Sequence, residues 1–227
     1  MNNLFRICVI CAFLGVAVNA QENNGVFVGL EIGASEQQMK LKTPPNVYAI
    51  THFGTIGGTN LNSSDEGTGQ YTAAVFGAKV GYKHFFLEWI GIRGYAGIDY
   101  AQSRIHSKGR TSSWTGVLSN LTYSANVDAL LNFYNSENVA FGAFVGLGIG
   151  GQTTWDMDFI MDDNKYRSFT DLYSDVKVGL RVNVARNHGM EFIAKIPLNS
   201  AKETFEYGVE ASYKQNYQVL LGYNFSF

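Results

Sequence analysis

A chain of 227 residues with 17 basic and 19 acidic side chains carries a formal net charge of −2, which leaves no basic excess for nucleic acid. It has only 3 prolines and 2 cysteines, against 25 glycines and 16 phenylalanines. No segment beyond residue 20 is apolar and long enough for a membrane helix, so a membrane crossing must be made by strands of a closed barrel.

Residues 1–20 read as a cleaved signal peptide. Arg6 supplies the positive end, Ile7 to Val18 the apolar run, and Val18-Asn19-Ala20 the small residues a signal peptidase needs. Neither Cys8 nor Cys11 follows the small residue of a lipobox. Both cysteines leave with the peptide, which removes disulfides, thiolate metal sites and cysteine nucleophiles from the mature segment 21–227.

Side chains of a strand alternate between two faces. Gly25–Ser35 sets Val26, Val28, Leu30 and Ile32 on one face and Glu31 on the other. Tyr71–Lys83 opposes Ala74, Phe76, Ala78, Val80 and Tyr82 to Lys79, and Trp89–Ala101 opposes Ile90, Ile92, Ala96, Ile98 and Tyr100 to Arg93 and Asp99. Leu121–Asn132 sets Leu121, Tyr123, Val127 and Leu131 against Asn126 and Asp128. Val139–Gly150 carries Val139, Phe141, Ala143, Val145, Leu147 and Ile149 at odd positions and small residues at even positions, apart from Phe144. Asp171–Val184 opposes an aliphatic row to Asp175, Lys177 and Arg181, and Met190–Leu198 does the same against Glu191 and Lys195. The last segment has Tyr217, Val219, Leu221, Tyr223, Phe225 and Phe227 on one face, with Leu220 the one break opposite. It resembles the closing strand of an outer-membrane barrel, which implies recognition by the barrel-assembly machinery.

Eight such segments, an even number, predict an all-β, eight-stranded antiparallel transmembrane β-barrel in the bacterial outer membrane. The connections alternate as that architecture requires. Short ones fall at His84–Glu88, Phe133–Asn138 and Ala185–Gly189, on the periplasmic side; long ones fall at Glu36–Gln70, Gln102–Asn120, Gly151–Thr170 and Asn199–Asn216, outside. A β-sandwich would use strands of about 5–6 residues, roughly half these lengths. A soluble lipocalin-like carrier would turn the apolar face inward. Phe85, Phe86, Trp89, Phe133, Tyr134, Tyr223, Phe225 and Phe227 gather at one rim, as an aromatic girdle at a membrane interface would.

Several segments, taken in order, resemble the Helicobacter outer membrane protein family. They are Gly81-Tyr82-Lys83-His84-Phe85-Phe86 with Gly91-Ile92-Arg93, Asn126 to Tyr134, and Val178-Gly179-Leu180-Arg181 with His188-Gly189-Met190-Glu191 and Lys195-Ile196-Pro197. The Tyr217–Phe227 ending is similar too. Where the family hairpin has a second aromatic after the arginine, this chain has Gly94-Tyr95, a local packing change. The resemblance implies an outer-membrane barrel in a family with adhesins and porin-like members. The chain departs from the large adhesins in having only Glu36–Gln70 as an extended outer segment and no cysteine pairs.

On this register the inward charges are Glu31, Asp99, Asp128, Asp175 and Glu191 against Lys79, Arg93, Lys177, Arg181 and Lys195. An eight-stranded barrel is just wide enough for side chains to fill it, so these charges are expected to pair in a self-neutralising core. A narrow porin-like channel is the alternative. It would use uncharged gaps left by the glycines opposite Phe141–Ile149. A lipid A-modifying enzyme is a weaker reading. His84 and His188 lie at short turns and His52 in the first long connection. His106 cannot share a face with Ser107 or Ser103. No catalytic residue, cofactor or metal is expected. Asp156, Asp158, Asp162 and Asp163 read as a solvated acidic loop rather than a cation site. The expected role is structural or surface interaction. The partners would be outer-membrane lipid and lipopolysaccharide, or a host or surface ligand reached through segment 36–70, with its Pro44-Pro45 and apolar Val47–Ile50.

Overall fold

The computed structural model describes residues 24–43, 65–108, 113–136, 139–156, 167–204 and 210–227; the expected signal peptide lies outside them. Every regular element described is a strand: β1 (Gly25–Thr43), β2 (Asp65–Leu87), β3 (Ile90–Lys108), β4 (Ser113–Asn135), β5 (Val139–Asp156), β6 (Arg167–Val184), β7 (His188–Pro197), β8 (Ala201–Thr204) and β9 (Glu210–Ser226). Each pairs antiparallel with its neighbour, and β1 pairs with β9, which closes the wall into a barrel. β7 and β8 share one edge of β9, so together they form a single stave broken after Pro197. Proline has no N–H to offer β9, while on the other edge Leu198 N still donates to Ser174 O of β6 at 2.8 Å. The wall thus has eight staves.

The strands outrun the lengths read from sequence. Segment 36–70 is not one loop: β1 continues to Thr43 and β2 begins at Asp65, and residues 44–64 lie outside the described chain. Likewise β3 and β4 extend to Lys108 and back from Ser113, and β5 to Asp156. These extensions scatter a few apolar residues, such as Met39, Leu41, Trp114 and Leu118, among polar ones without a continuous apolar row, so apolar alternation could not mark them.

The apolar face points outward. Leu30 is 65%, Leu147 63% and Met190 66% exposed, whereas Glu31 and Asp128 are buried. No water-soluble fold leaves such a belt uncovered, while a barrel in lipid requires it. Two bulges thicken the belt at the short-turn rim. Phe86 and Phe133 fall out of the ladders beside Phe85 and Asn132, and both are exposed there. One expected member of the girdle is misplaced: Phe85 points inward and is buried, with the Arg181 guanidinium 5.5 Å from its ring centre. The β6–β7 turn holds Ala185 and Arg186 at positive φ, 51° and 65°, the twist a tight hairpin favours. Asn187 pins that turn to the chain end through Nδ2–H···O=C of Ser226 at 2.6 Å.

Candidate functional site

All ten charged residues assigned inward from sequence are buried in the lumen. Seven of them form one alternating chain across it. Asp128 of β4 accepts from Arg93 Nε at 2.7 Å, and the other end of the Arg93 guanidinium engages Glu191 on β7. Glu191 accepts from Lys79 Nζ at 2.8 Å, and Lys79 also reaches Glu31 at 2.8 Å. Glu31 accepts from Lys195 at 2.7 Å, and Lys195 ends the chain on Asp99 at 2.9 Å. Each cation touches two anions, so no unit of charge in the chain stands alone. The ladder ties β1, β2, β3, β4 and β7 together through side chains as well as backbone.

Lys177 and Asp175 sit beside this ladder, 3.3 Å apart. Lys177 also donates to Asn126 Oδ1 and to the Tyr95 hydroxyl at 3.3 Å, while Tyr173 donates to Asp175 at 3.2 Å. Arg181 lies nearer the short-turn rim, above the Phe85 ring and in register with Glu191. The reading from sequence missed Lys83, which is buried and makes the cations six to five anions among the described residues. It ended a segment at that residue, where period two alone gave its direction.

Apolar and aromatic side chains complete the filling. The two exceptions to the alternation, Phe144 and Leu220, both point inward and are buried. Phe144 stacks 4.5 Å beneath the Arg93 guanidinium and covers Gly179. Tyr95 covers Gly81 on the neighbouring strand, so the altered Gly94-Tyr95 pair puts its ring in the lumen against a residue that must lack a side chain. The glycines opposite Phe141–Ile149 are not gaps. A Cβ on Gly146 would overlap the Asp128 carboxylate, and one on Gly148 would overlap Asp175 and Asn126. They are small because charged neighbours occupy their space.

No nucleophile and base are brought together among the described residues. His84 packs edge-on to Phe86 at 4.9 Å, and His188 Nδ1 lies 2.6 Å from the Tyr223 hydroxyl, so both serve the short-turn rim. His106 and Ser107 are consecutive in β3 and His52 lies outside the described residues, as do Asp158, Asp162 and Asp163.

The family model described as Helicobacter outer membrane protein matches residues 77–227. The chain belongs to the Helicobacter outer membrane protein family. It is therefore a protein of the bacterial outer membrane, and the apolar belt is its lipid-facing surface. No curated protein matches it. Among solved structures it is similar to the N-terminal β-barrel domain of Pseudomonas aeruginosa OprF, at 13% identity and a TM-score of 0.32, over 91% of this chain and 100% of that one. It is also similar to Ail, the attachment invasion locus protein of Yersinia pestis, at 15% identity and a TM-score of 0.32, over 89% and 100% of the two chains.

Proposed function

We propose that this barrel is a non-catalytic surface-interaction protein whose lumen is sealed and whose outer strand extensions carry its contacts. The observation that supports this reading best is the seven-membered charge ladder, which crosses the lumen in the path an ion would take. The partners are outer-membrane lipid and lipopolysaccharide, with the barrel-assembly machinery reading Tyr217, Val219, Leu221, Tyr223, Phe225 and Phe227 during insertion. A host or surface ligand is contacted through segment 36–70; nucleic acid is not a partner.

Two measurements test this. In planar bilayers the purified barrel should give no steady conductance. Regular single-channel steps that survive repurification would favour the narrow porin-like reading instead. Deleting residues 45–63 should leave the gel mobility shift on boiling intact while abolishing adherence of expressing cells to host-cell monolayers. Adherence that persists after the deletion would remove the first extension from the reading.

A further inference from the structure

The outer wall changes character where β8, β9 and β1 rise out of the apolar belt. Below that level its outward residues are Leu30, Ile32, Val219, Leu221 and, on the neighbouring stave, Leu198, all exposed. Tyr217 is the last of the belt on β9. Its hydroxyl donates to Glu36 Oε2 at 3.1 Å, and Asn216 Nδ2 donates to Glu36 Oε1 at 2.9 Å. Glu36 is therefore held by neutral partners in the wall.

Three lysines stand immediately above. Lys40 of β1 and Lys202 of β8 both pair in register with Ser212, one from each side, and Lys214 is two residues nearer the membrane on the same strand. Paired residues on adjacent strands share a face, as do residues two apart. β1 keeps one unbroken register with β2 from Gly25 to Thr43, so Lys40 points the way Leu30 and Ile32 do, and Lys202 and Lys214 with it. All three are exposed and none forms an ion pair among the described residues. Outward carboxylates stand one step away on either side: Glu36 is two residues from Gln38, the partner of Lys214, and Glu66 and Glu210 both pair with Lys42, a fourth lysine farther from the membrane.

A cationic cluster around a hydroxyl, directly over an apolar wall, has the two-part shape of an amphiphile's partner. Lysine stems lie along apolar surface while their heads reach outward, and cations at this height are drawn to the phosphates of an anionic leaflet. We propose that Lys40, Lys202 and Lys214, around Ser212, dock the phosphorylated headgroup of an outer-leaflet glycolipid of the lipid A class. Its acyl chains lie over Ile32, Val219, Leu221 and Leu198. This deepens the surface-interaction reading by naming one ligand. It rests only on the outer-membrane placement, so failure of host adherence would leave it standing.

The test uses the whole barrel extracted in maltoside detergent, titrated with bis-phosphorylated lipid A and with its dephosphorylated form, with bound lipid counted by native mass spectrometry. The phosphorylated lipid should bind the wild type, and K40Q/K202Q/K214Q should bind it about 100-fold more weakly, at about five-fold per lysine. Lys202→Gln alone should lose about five-fold, and Arg104→Gln, on the β3 side, should lose nothing. A retained mobility shift on boiling shows that the variants are folded. Equal binding of the two lipids, or unchanged binding by the triple variant, overturns the proposal. A sulfated polysaccharide that binds the wild type as tightly, and is lost in the triple variant, would reassign the triad to a soluble polyanion.

Discussion

Arg93→Ala is expected to lower the unfolding free energy by about 3–5 kcal/mol, the cost of breaking a buried ion pair from one side. Arg93 bridges two carboxylates and lies over the rings of Phe27, Tyr95 and Phe144. Its loss takes from Asp128 and Glu191 the short charge-assisted contacts each makes with it, and removes the cation stacked on Phe144. Asp128 cannot move to water, because it is fully buried in the space over Gly146. The measurement is the urea midpoint of the compact, fast-migrating species in detergent, followed by unheated gel electrophoresis. The mechanism also predicts an asymmetry. Arg93→Met combined with Asp128→Leu should cost less than Arg93→Ala alone, because both ends of one buried pair are removed together. A midpoint for Arg93→Ala equal to that of the wild type would mean that water or lipid headgroups, not this ladder, screen the lumen charges.

The charges were legible in the sequence because period two is unforgiving. Glu31, Lys79, Arg93, Asp99, Asp128, Asp175, Lys177, Arg181, Glu191 and Lys195 each lie opposite a lipid-facing row, and a lipid-facing row admits only one inside. Their partners were not legible. The Lys195–Glu31 contact joins residues 164 apart in the chain, and which residues meet across the barrel depends on stagger, which alternation leaves free. Phe144 and Leu220 look like faults in the pattern yet plug the lumen. A barrel this narrow needs apolar bulk inside as well as charge, and a two-letter reading of faces has no place for it. Phe85 erred the other way. Its neighbour Phe86 is a bulge residue, so two adjacent aromatics take opposite roles, one on lipid and one under Arg181.

The same device explains why the alternation stops at Tyr217, so that residues 210–216 read as part of the connection Asn199–Asn216, and it yields the second large effect. Glu36 pairs with Tyr217, but Gln37 pairs with Gln215, so Asn216 is an extra residue in β9. Below it odd positions face lipid; above it they face the lumen, where Tyr213 and Gln215 are buried. Deleting Asn216 forces one part to turn over. The lower part is held by β1 and β7 on both edges and by Leu220 inside, so the upper part yields. Tyr213 and Gln215 would be expelled and Lys214 driven inward without a partner. Loss of the tyrosine's burial alone costs about 2–3 kcal/mol, and the stranded lysine adds to it. The expected result is cleavage by added protease between residues 198 and 217 and a lowered urea midpoint, while a heat-shifted core remains. Asn216→Ala keeps the residue count and loses only the bond to Glu36, so it should cost about 1 kcal/mol and stay protease-resistant. If the deletion proved as resistant as the wild type, the outer hairpin would have to tolerate both registers. The lysines above the belt would then have no fixed face, and the lipid site drawn from them would fail with the bulge.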